Sequence, residues 1–372
     1  MPLDVRVAFA GWHLRTPFGP GSAEIVRALR EGRAAPARGL PAFPGQDRGD
    51  LTAAMDPADF TPSPSGLRTA LADVARPAQA ALSMPDAWLV VGTSSIFFLG
   101  EYMGSGPEWL GSCGDIACDL AQDLGLERAP LTLSTACSSS ANALLLAAQA
   151  IAREECPSAL VTGFEALSPI ALNGFRSLML LDPRGCRPFD RHRVGLHLGE
   201  GLAALSLQAS SLKFQDPRAV ILGGAHVCAA MGPAGQAPDA DAMYAVMTEA
   251  LRTARCEPCD IVAIKAHGLG STESDEAEAA AVRRLYGSPP PVTGLKGTLG
   301  HTLGASGALE TAAFLACLEA GFVPPTAGFG EADPALSMAP LRKPLAARPG
   351  PYQLNFFGFG ASYVSLVVGF ES

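Results

Sequence analysis

One cysteine in a run of small polar residues is the strongest candidate for chemistry in this chain. The run is Ser134-Thr135-Ala136-Cys137-Ser138-Ser139-Ser140. The apolar residues before it, 129–133, predict a strand, and the alanine- and leucine-rich stretch after it, 141–152, predicts a helix. Cys137 therefore lies at or near a helix N-terminus, which stabilises a thiolate and lowers the thiol pKa. This makes Cys137 a candidate nucleophile towards a thioester, with a buried structural cysteine as the alternative.

Two histidines further along the chain stand in matching surroundings. His267 follows the apolar run Ile264-Lys265-Ala266, and His301 follows Leu295-Lys296-Gly297-Thr298-Leu299-Gly300. Each run predicts a strand that delivers its histidine to a glycine-rich turn before a helix. Folds of the α/β class place chemistry where strand ends face helix starts, so we expect both rings to converge on Cys137. A single histidine beside glycine is usually structural, but this chain has only six histidines in all.

Taken in order, these segments resemble the active-site motifs of the two-histidine β-ketoacyl-acyl-carrier-protein synthases. These are the condensing enzymes of fatty acid and type II polyketide synthesis. Lys296 lies five residues before the second histidine and Glu310 nine residues after it, as the family pattern requires. The resemblance spans nearly the whole chain, because three further segments match in order: Thr16-Pro17-Phe18-Gly19, Arg187-Pro188-Phe189-Asp190 with Gly199-Glu200-Gly201, and Asn355-Phe356-Phe357-Gly358-Phe359-Gly360.

The alternation of predicted strands and alanine-rich helices favours a mixed α/β fold. Strands predicted at 202–209 and 219–222 place a boundary near Ser211, which divides the chain into 1–211, with the cysteine, and 212–372, with both histidines. The resemblance implies more: a thiolase-type fold in which two pseudo-repeated halves form a five-layered αβαβα arrangement. It also implies a dimer, either a homodimer or a heterodimer with a related ketosynthase-like subunit.

The resemblance also implies a role for each matched residue. Cys137 would carry the acyl group, and His267 and His301 would hydrogen-bond to the enolate formed when malonyl-acyl-carrier protein loses carbon dioxide. The backbone N–H groups of Cys137 and Phe359 would form the oxyanion hole. Two further residues, Lys296 and Glu310, would orient the site electrostatically, although a structural ion pair is the alternative for the lysine. No metal or nucleotide cofactor is implied, because decarboxylation drives the condensation and the carrier protein brings the phosphopantetheine.

Several positions depart from the family pattern. Hydroxyl residues that bind the phosphopantetheine arm usually follow the first histidine, and here those positions hold Leu269 and Ser271. Phe97 and Phe98 stand where the family often has glycines beside the acyl pocket. They are expected either to shorten that pocket or to fit it to a flat unsaturated chain, with packing at a dimer interface as the alternative. The residue after Gly360 is Ala361 instead of glycine, which predicts a stiffer loop after Phe359.

Composition excludes several classes of function. The net charge of −9 and the lack of basic stretches interleaved with aromatic residues argue against nucleic-acid binding. No run approaches the roughly 20 apolar residues of a membrane span. Nine cysteines without a disulfide framework predict reduced thiols and a cytoplasmic location. An acidic acyl carrier protein, the expected partner, needs a basic patch, and five arginines are candidates for it or are ordinary solvated charges: Arg176, Arg184, Arg187, Arg252 and Arg255.

Two other functions remain open for a chain with these motifs. An acyltransferase on the same scaffold would load a starter, or make an ester or amide, without decarboxylation, and Leu269 keeps that alternative open. A non-catalytic chain-length-factor partner normally lacks the nucleophilic cysteine, so Cys137 argues against it. A degradative thiolase needs a second catalytic cysteine near the C-terminus, whereas the last cysteine here is Cys317, in a run that predicts a helix. Asp275 and Glu278 are expected to be structural.

Overall fold

Eleven strands join in one sheet within the part of the chain that the computed structural model describes, residues 6–36, 52–56, 64–82, 87–94, 113–210, 218–229 and 238–371. The strands are β1 (Val7–Thr16), β2 (Gly19–Pro20), β3 (Trp88–Gly92), β4 (Leu131–Leu133), β5 (Ser158–Glu165), β6 (Gly201–Ala209), β7 (Ala219–Cys228), β8 (Ala263–Lys265), β9 (Val292–Thr293), β12 (Gly350–Gly358) and β13 (Ser362–Phe370), while β10 (Phe322–Val323) and β11 (Leu345–Ala346) form a separate pair.

Helices connect most of these strands. They are α1 (Ala23–Glu31), α2 (Pro64–Ala80), α3 (Cys113–Asp123), α4 (Ser139–Ala152), α5 (Pro169–Ser177), α6 (Ala240–Ala254), α7 (Thr272–Tyr286), α8 (Lys296–Leu299) and α9 (Ser306–Glu319), with 3₁₀ turns at Pro258–Asp260, Leu303–Ala305 and Phe359–Ala361. No described helix is both long and apolar enough to cross a membrane.

The same topology occurs twice along the chain. Strands run in the order β4-β3-β5-β6-β1 in the first half and β9-β8-β12-β13-β7 in the second. In each half the first three strands of that order are parallel, and the remaining two are added antiparallel. The halves meet where β1 pairs with β7, at Val7–Ile221 and Ala8–Val220. The last strand of the first half ends at Ala209 and the first strand of the second half begins at Ala219, while the boundary predicted near Ser211 lies outside the described residues.

Two helices lie between the two halves of the sheet. Helices α4 and α9 contact strands of both halves and each other, while α2 and α3 cover one outer face and α6 and α7 the other. This gives five layers, αβαβα. Side chains from Ser306 to Leu318 are buried all along α9. The two helices approach so closely that a Cβ on Gly307 would lie 2.0 Å from the backbone nitrogen of Ala141. Only glycine allows this crossing.

The mixed α/β prediction is confirmed, but one predicted element is wrong. Residues 295–300 do not form a strand: β9 ends at Thr293, and Lys296–Leu299 form the short helix α8. Leu295 and Leu299, four residues apart, are both fully buried, a spacing that one face of a helix and one face of a strand both allow. The predicted strand at 129–133 is also shorter than expected. The proposed acyl-pocket residues Phe97 and Phe98 lie outside the described residues.

Candidate active site

Cys137 lies in a tight turn between β4 and α4. The preceding residue, Ala136, has a φ of 51°, in the left-handed region that alanine rarely adopts. Ser139 holds the turn, because its hydroxyl accepts the N–H of Thr135 at 2.9 Å and donates to the carbonyl of Ala136 at 2.6 Å. The turn leaves Cys137 only 4% exposed, two residues before the start of α4. The thiol is therefore presented to an interior site and not to open solvent.

Two polar groups approach the Cys137 sulfur. The Nε2 of His301 lies 3.0 Å from it, and the backbone N–H of Phe359 hydrogen-bonds to it. Burial nevertheless raises the pKa of the Cys137 thiol to about 11, and the Phe359 N–H and the Lys296 ammonium offset only part of this rise. The sequence predicted a lowered thiol pKa, and that prediction is wrong because desolvation of the buried sulfur outweighs the donors around it.

His267 follows β8 and is held at its backbone. Both oxygens of the Glu278 carboxylate accept backbone N–H groups, one from His267 and one from Gly268, each at 2.8 Å. The Lys296 ammonium donates to the His267 carbonyl at 2.8 Å and lies 3.4 Å from its Nδ1. An ammonium is only a donor, so this contact assigns the ring proton to Nε2. Burial, followed by the charge of Lys296, lowers the pKa of His267 well below its ordinary value.

His301 follows α8 and faces the other histidine. Its backbone N–H donates to the carbonyl of His197 at 2.8 Å, and its carbonyl accepts the N–H of Gly199 at 2.9 Å. The Ser306 hydroxyl lies 3.3 Å from Nδ1, and because a hydroxyl can either donate or accept, this contact suits a ring proton on Nδ1 or on the Nε2 beside the sulfur. The two imidazole centroids are 5.8 Å apart and the rings are nearly perpendicular. Burial and the neighbouring ammonium groups also lower the pKa of His301, so both rings are neutral donors.

A buried carboxylate links two lysines behind the histidines. Glu310 on α9 accepts from Lys296 at 2.6 Å through one oxygen and from Lys265 at 2.5 Å through the other. Burial opposes ionisation of Glu310, but the two ammonium groups hold its pKa below the ordinary value. Sequence analysis missed Lys265. The available signal was a lysine within the otherwise apolar run that forms β8, where a charged side chain needs a buried partner.

Two buried carboxylates fix the loop that follows His267. Asp275 accepts the backbone N–H groups of Leu269 and Gly270 through one oxygen, each at 3.0 Å, and that of Phe189 through the other at 2.6 Å. Together with Glu278 it supports the loop from α7, consistent with the structural role expected for both. Ser271 begins α7 as its N-cap, yet its hydroxyl makes no capping hydrogen bond.

Apolar side chains line the space around the sulfur. Leu269 is buried in the same hydrophobic cluster as Cys137, with Phe175 and the partly buried Phe359 packed beside them. The Phe175 ring centroid lies 5.4 Å from that of Phe359 and 6.3 Å from that of His301. Sequence analysis missed Phe175, because nothing in α5 marks it as facing the nucleophile. This environment suits an acyl chain and excludes bulk water from the thiol.

The five candidate arginines differ in position and exposure: Arg176 lies on α5, Arg184 and Arg187 in the loop after it, and Arg252 and Arg255 at the C-terminal end of α6. Arg252, near the C-terminus of α6, pairs with Glu249 on the same helix, and Arg255 caps that helix. Arg187 is only 15% exposed and is bound by the buried carboxylate of Asp182. The Arg187 charge is therefore already paired with a carboxylate, which leaves it poorly suited to bind an acidic partner.

The structure brings six of the predicted residues together at one site: Cys137, His267, His301, Lys296, Glu310 and Phe359. The thiol contacts the ring of His301 and the backbone N–H of Phe359, and the His301 ring faces that of His267. Such a constellation stabilises negative charge that develops on a thioester oxygen, and the sulfur can accept an acyl group.

Two family models and several known proteins match this chain in sequence. Residues 105–213 match the family model of the beta-ketoacyl synthase N-terminal domain, and residues 218–330 match that of its C-terminal domain. Citrinin polyketide synthase from Monascus ruber is 31% identical over 275 residues, 68% of this chain and 10% of that protein. For 3-oxoacyl-[acyl-carrier-protein] synthase 2 from Mycobacterium bovis the identity is 31% over 268 residues, 67% of this chain and 64% of that protein. The chain thus covers less than two thirds of the length of either relative.

A solved structure extends the similarity over the whole chain. One chain in the structure of a ketosynthase in complex with its chain length factor, from Xenorhabdus doucetiae, matches with a TM-score of 0.84 at 26% identity, and the match covers 100% of this chain and 99% of that chain. The thiolase-type fold and the family predicted from the motifs are both confirmed. The two domain matches together span more than half of the chain. The chain therefore belongs to the β-ketoacyl synthase family of condensing enzymes.

Proposed function

We propose that this protein is a catalytically active β-ketoacyl synthase, which condenses an acyl thioester with malonyl-acyl-carrier protein by decarboxylative Claisen chemistry. The observation that carries the proposal is the 3.0 Å contact between His301 Nε2 and the Cys137 sulfur, with the His267 ring 5.8 Å from that of His301. A chain that served only as a partner subunit would have no use for a buried nucleophile between two donor imidazoles.

The first step transfers the acyl group to Cys137. The sulfur attacks the thioester carbonyl of the acyl group that the carrier protein bears. The backbone N–H groups of Cys137 and Phe359 then hydrogen-bond to the resulting oxyanion. The carbon–sulfur bond to the phosphopantetheine breaks, and the proton lost by the Cys137 thiol ends on the departing thiol. Because the closed site keeps that thiol protonated, binding of the thioester and removal of the proton are coupled.

The second step forms the carbon–carbon bond. Malonyl-acyl-carrier protein loses carbon dioxide, and its thioester becomes an enolate whose oxygen accepts hydrogen bonds from His267 and His301. Donors of this kind lower the activation barrier by on the order of 3 kcal/mol each. The enolate carbon attacks the acyl carbonyl on Cys137, the carbon–sulfur bond breaks, and the released thiolate takes one proton from solvent. The β-ketoacyl chain leaves on the carrier protein, and no metal or nucleotide cofactor takes part.

Mass measurement of the intact protein tests the proposal directly. The purified protein is incubated with an acyl-acyl-carrier protein, and malonyl-acyl-carrier protein is then added. We expect a mass increase of one acyl group on the wild type, followed by its loss with release of carbon dioxide and a β-ketoacyl-carrier product. Cys137→Ala should remain unmodified. As a matched control, replacing the exposed Cys259 by alanine should leave acylation unchanged.

The same experiment separates the alternatives. A chain-length-factor subunit would never be acylated. An acyltransferase, which the buried Leu269 in the loop after His267 favours, would be acylated but would leave malonate intact. Acyl donors of C2 to C16 then test the pocket proposed at Phe97 and Phe98, because equal labelling by long saturated chains would contradict a shortened pocket.

The proposed partners are an acyl carrier protein and a second ketosynthase-like subunit. The structure from Xenorhabdus doucetiae contains a ketosynthase in complex with its chain length factor, which supports a heterodimer as an alternative to a homodimer. Light scattering on the protein alone distinguishes the two. A homodimer would have about twice the 38.3 kDa of one chain, and an obligate heterodimer would form only when a related subunit is co-expressed.

A further inference from the structure

We propose that Lys265 is a positioning residue of this site: it holds Glu310 so that Glu310 fixes Lys296 against His267. The inference deepens the proposed condensation and rests on it for its rate measurement. Its second measurement, on the histidines themselves, needs no reaction.

The geometry of the lysine–glutamate–lysine cluster is the first support. The two ammonium groups take opposite oxygens of the Glu310 carboxylate, at 2.5 Å for Lys265 and 2.6 Å for Lys296. The Lys296 ammonium uses its other contacts on the carbonyl and the Nδ1 of His267. Its three donors are thereby all directed, so a rotation of Glu310 would draw Lys296 away from the histidine. Lys265 prevents that rotation by holding the second oxygen.

The enclosure of Lys265 is the second support. Its side chain is fully buried, and its ammonium lies 3.7 Å from the centroid of the Phe356 ring. A buried ammonium is costly unless it is paired, and Glu310 already has a partner in Lys296. A leucine would fill the same space in β8 at lower cost. Burial lowers the pKa of Lys265 to about 8 while Glu310 opposes the shift, so the group is charged at pH 7.

The balance of charge around the histidines is the third support. Two carboxylates face the two lysines: Glu310 from α9 and Glu278 from α7, which accepts the backbone N–H groups beside His267. Asp275, three residues before Glu278 on α7, lies 3.9 Å from the Arg193 guanidinium. Both lysines disfavour protonation of His267 and of His301, in addition to the effect of burial. A neutral imidazole with its proton on Nε2 is the form that donates to an enolate.

The test replaces Lys265 by methionine, which keeps the length and removes the charge, and follows two readouts. The first is the titration of the six histidine ring signals by NMR, with His267→Asn and His301→Asn to assign them. In Lys265→Met the midpoints of His267 and His301 should move upward by roughly half a pH unit or more, because a nearby cation is lost. The second is the decarboxylation rate of malonyl-acyl-carrier protein, which should fall roughly ten- to hundredfold as Lys296 loses its fixed position.

The controls keep the outcomes distinct. Lys343→Met removes the same charge from an exposed position and should move neither readout. Lys265→Gln, whose amide can still donate to Glu310, allows the titration should the methionine variant unfold. Unchanged midpoints in a folded variant would overturn the proposal, as would unfolding of both variants, since Lys265 would then serve only the fold. A wild type that fails to decarboxylate malonate would contradict the proposed function and leave the titration valid.

Discussion

Burial keeps the three groups that carry the chemistry uncharged. The Cys137 thiol has a raised pKa, and His267 and His301 have lowered ones, so the resting site holds a neutral thiol and two neutral rings. In the proposed reaction, charge develops only when a thioester is bound, on oxygen or sulfur atoms near these donors. Such preorganised donors lower the barrier because they need no reorientation during the reaction.

This arrangement predicts the pH dependence of alkylation at Cys137. With a thiol pKa of about 11, iodoacetamide labelling of the free protein should still be rising above pH 9. Lys296→Met removes a charge that lowers this pKa, so labelling at a fixed pH of 8 should become slower. Intact mass against time gives the rate, with Cys259→Ala removing one background site. A labelling midpoint near pH 7, or faster labelling of the lysine variant, would contradict the assignment.

The backbone contacts of Glu278 predict a loss of stability in Glu278→Gln. An amide offers one acceptor oxygen, whereas the carboxylate accepts the N–H groups of both His267 and Gly268. One buried N–H would face an NH₂ group, at a cost of about 1–3 kcal/mol in the free energy of unfolding. Urea denaturation measures the loss. Glu273→Gln, at an exposed position on the same helix, should change stability little, and equal effects of the two substitutions would refute the argument.

Sequence patterns predicted which residues meet but not the charges they carry. The order and spacing of Cys137, His267 and His301 indicated one site, because strand–turn–helix units bring such residues to a common edge. The thiol pKa was predicted with the wrong sign, because a helix N-terminus can be read from sequence whereas the burial of one sulfur cannot. Lys265 was missed for the same reason, since its partner Glu310 lies 45 residues away along the chain.

At the scale of elements, the crossing of α4 and α9 depends on one glycine. A Cβ on Gly307 would approach the backbone of Ala141 far inside van der Waals contact. We expect Gly307→Ala to cost roughly 3 kcal/mol or more of unfolding free energy, because neither backbone can move without disturbing both halves. The measurement is the shift of the thermal or urea transition, together with loss of Cys137 acylation, since α4 carries the turn that holds the thiol.

A control substitution at another helical glycine distinguishes the effect of this steric clash from the effect of helix propensity. Gly174 lies in α5, and a Cβ there would meet nothing within 4 Å. Gly174→Ala should therefore be neutral or stabilise the protein by up to about 1 kcal/mol. Destabilisation by both substitutions to the same degree would show that the close approach of α4 and α9 is not the cause.

Elements with a long sequence pattern were predicted correctly, whereas the prediction was wrong where the pattern is short. The alanine- and leucine-rich stretch of 141–152 indicated α4, and the largely apolar run of 202–209 indicated β6, to within two residues of their bounds. The turn Lys296–Leu299 is too short for a helical period to show, and its apolar residues fit a strand equally well. The repeated topology was implied by the family resemblance and not by local patterns, because it rests on pairings between distant residues, such as Val7 of β1 with Ala209 of β6.

At the scale of the whole molecule, the two halves share one core. The largest hydrophobic cluster contains Leu144 from α4, Leu309 and Phe314 from α9, and strand residues from both halves. Helix α9 is buried almost along its whole length and packs against α4. Removal of either half would therefore expose an apolar face of the central helix of the other. The catalytic site is divided in the same way, with the thiol on one half and both histidines on the other.

This shared core predicts that neither 1–211 nor 212–372 folds alone. Each separated half would expose an apolar face of a central helix, where every buried leucine or phenylalanine contributes about 1.5–3 kcal/mol. We expect each half, expressed singly, to aggregate or to lack a cooperative thermal transition by circular dichroism. Co-expression should restore a soluble complex in which Cys137 is acylated, because the interface is the native core. A single half with a sharp unfolding transition would show that the two repeats are independent domains and that the central layer forms after they fold.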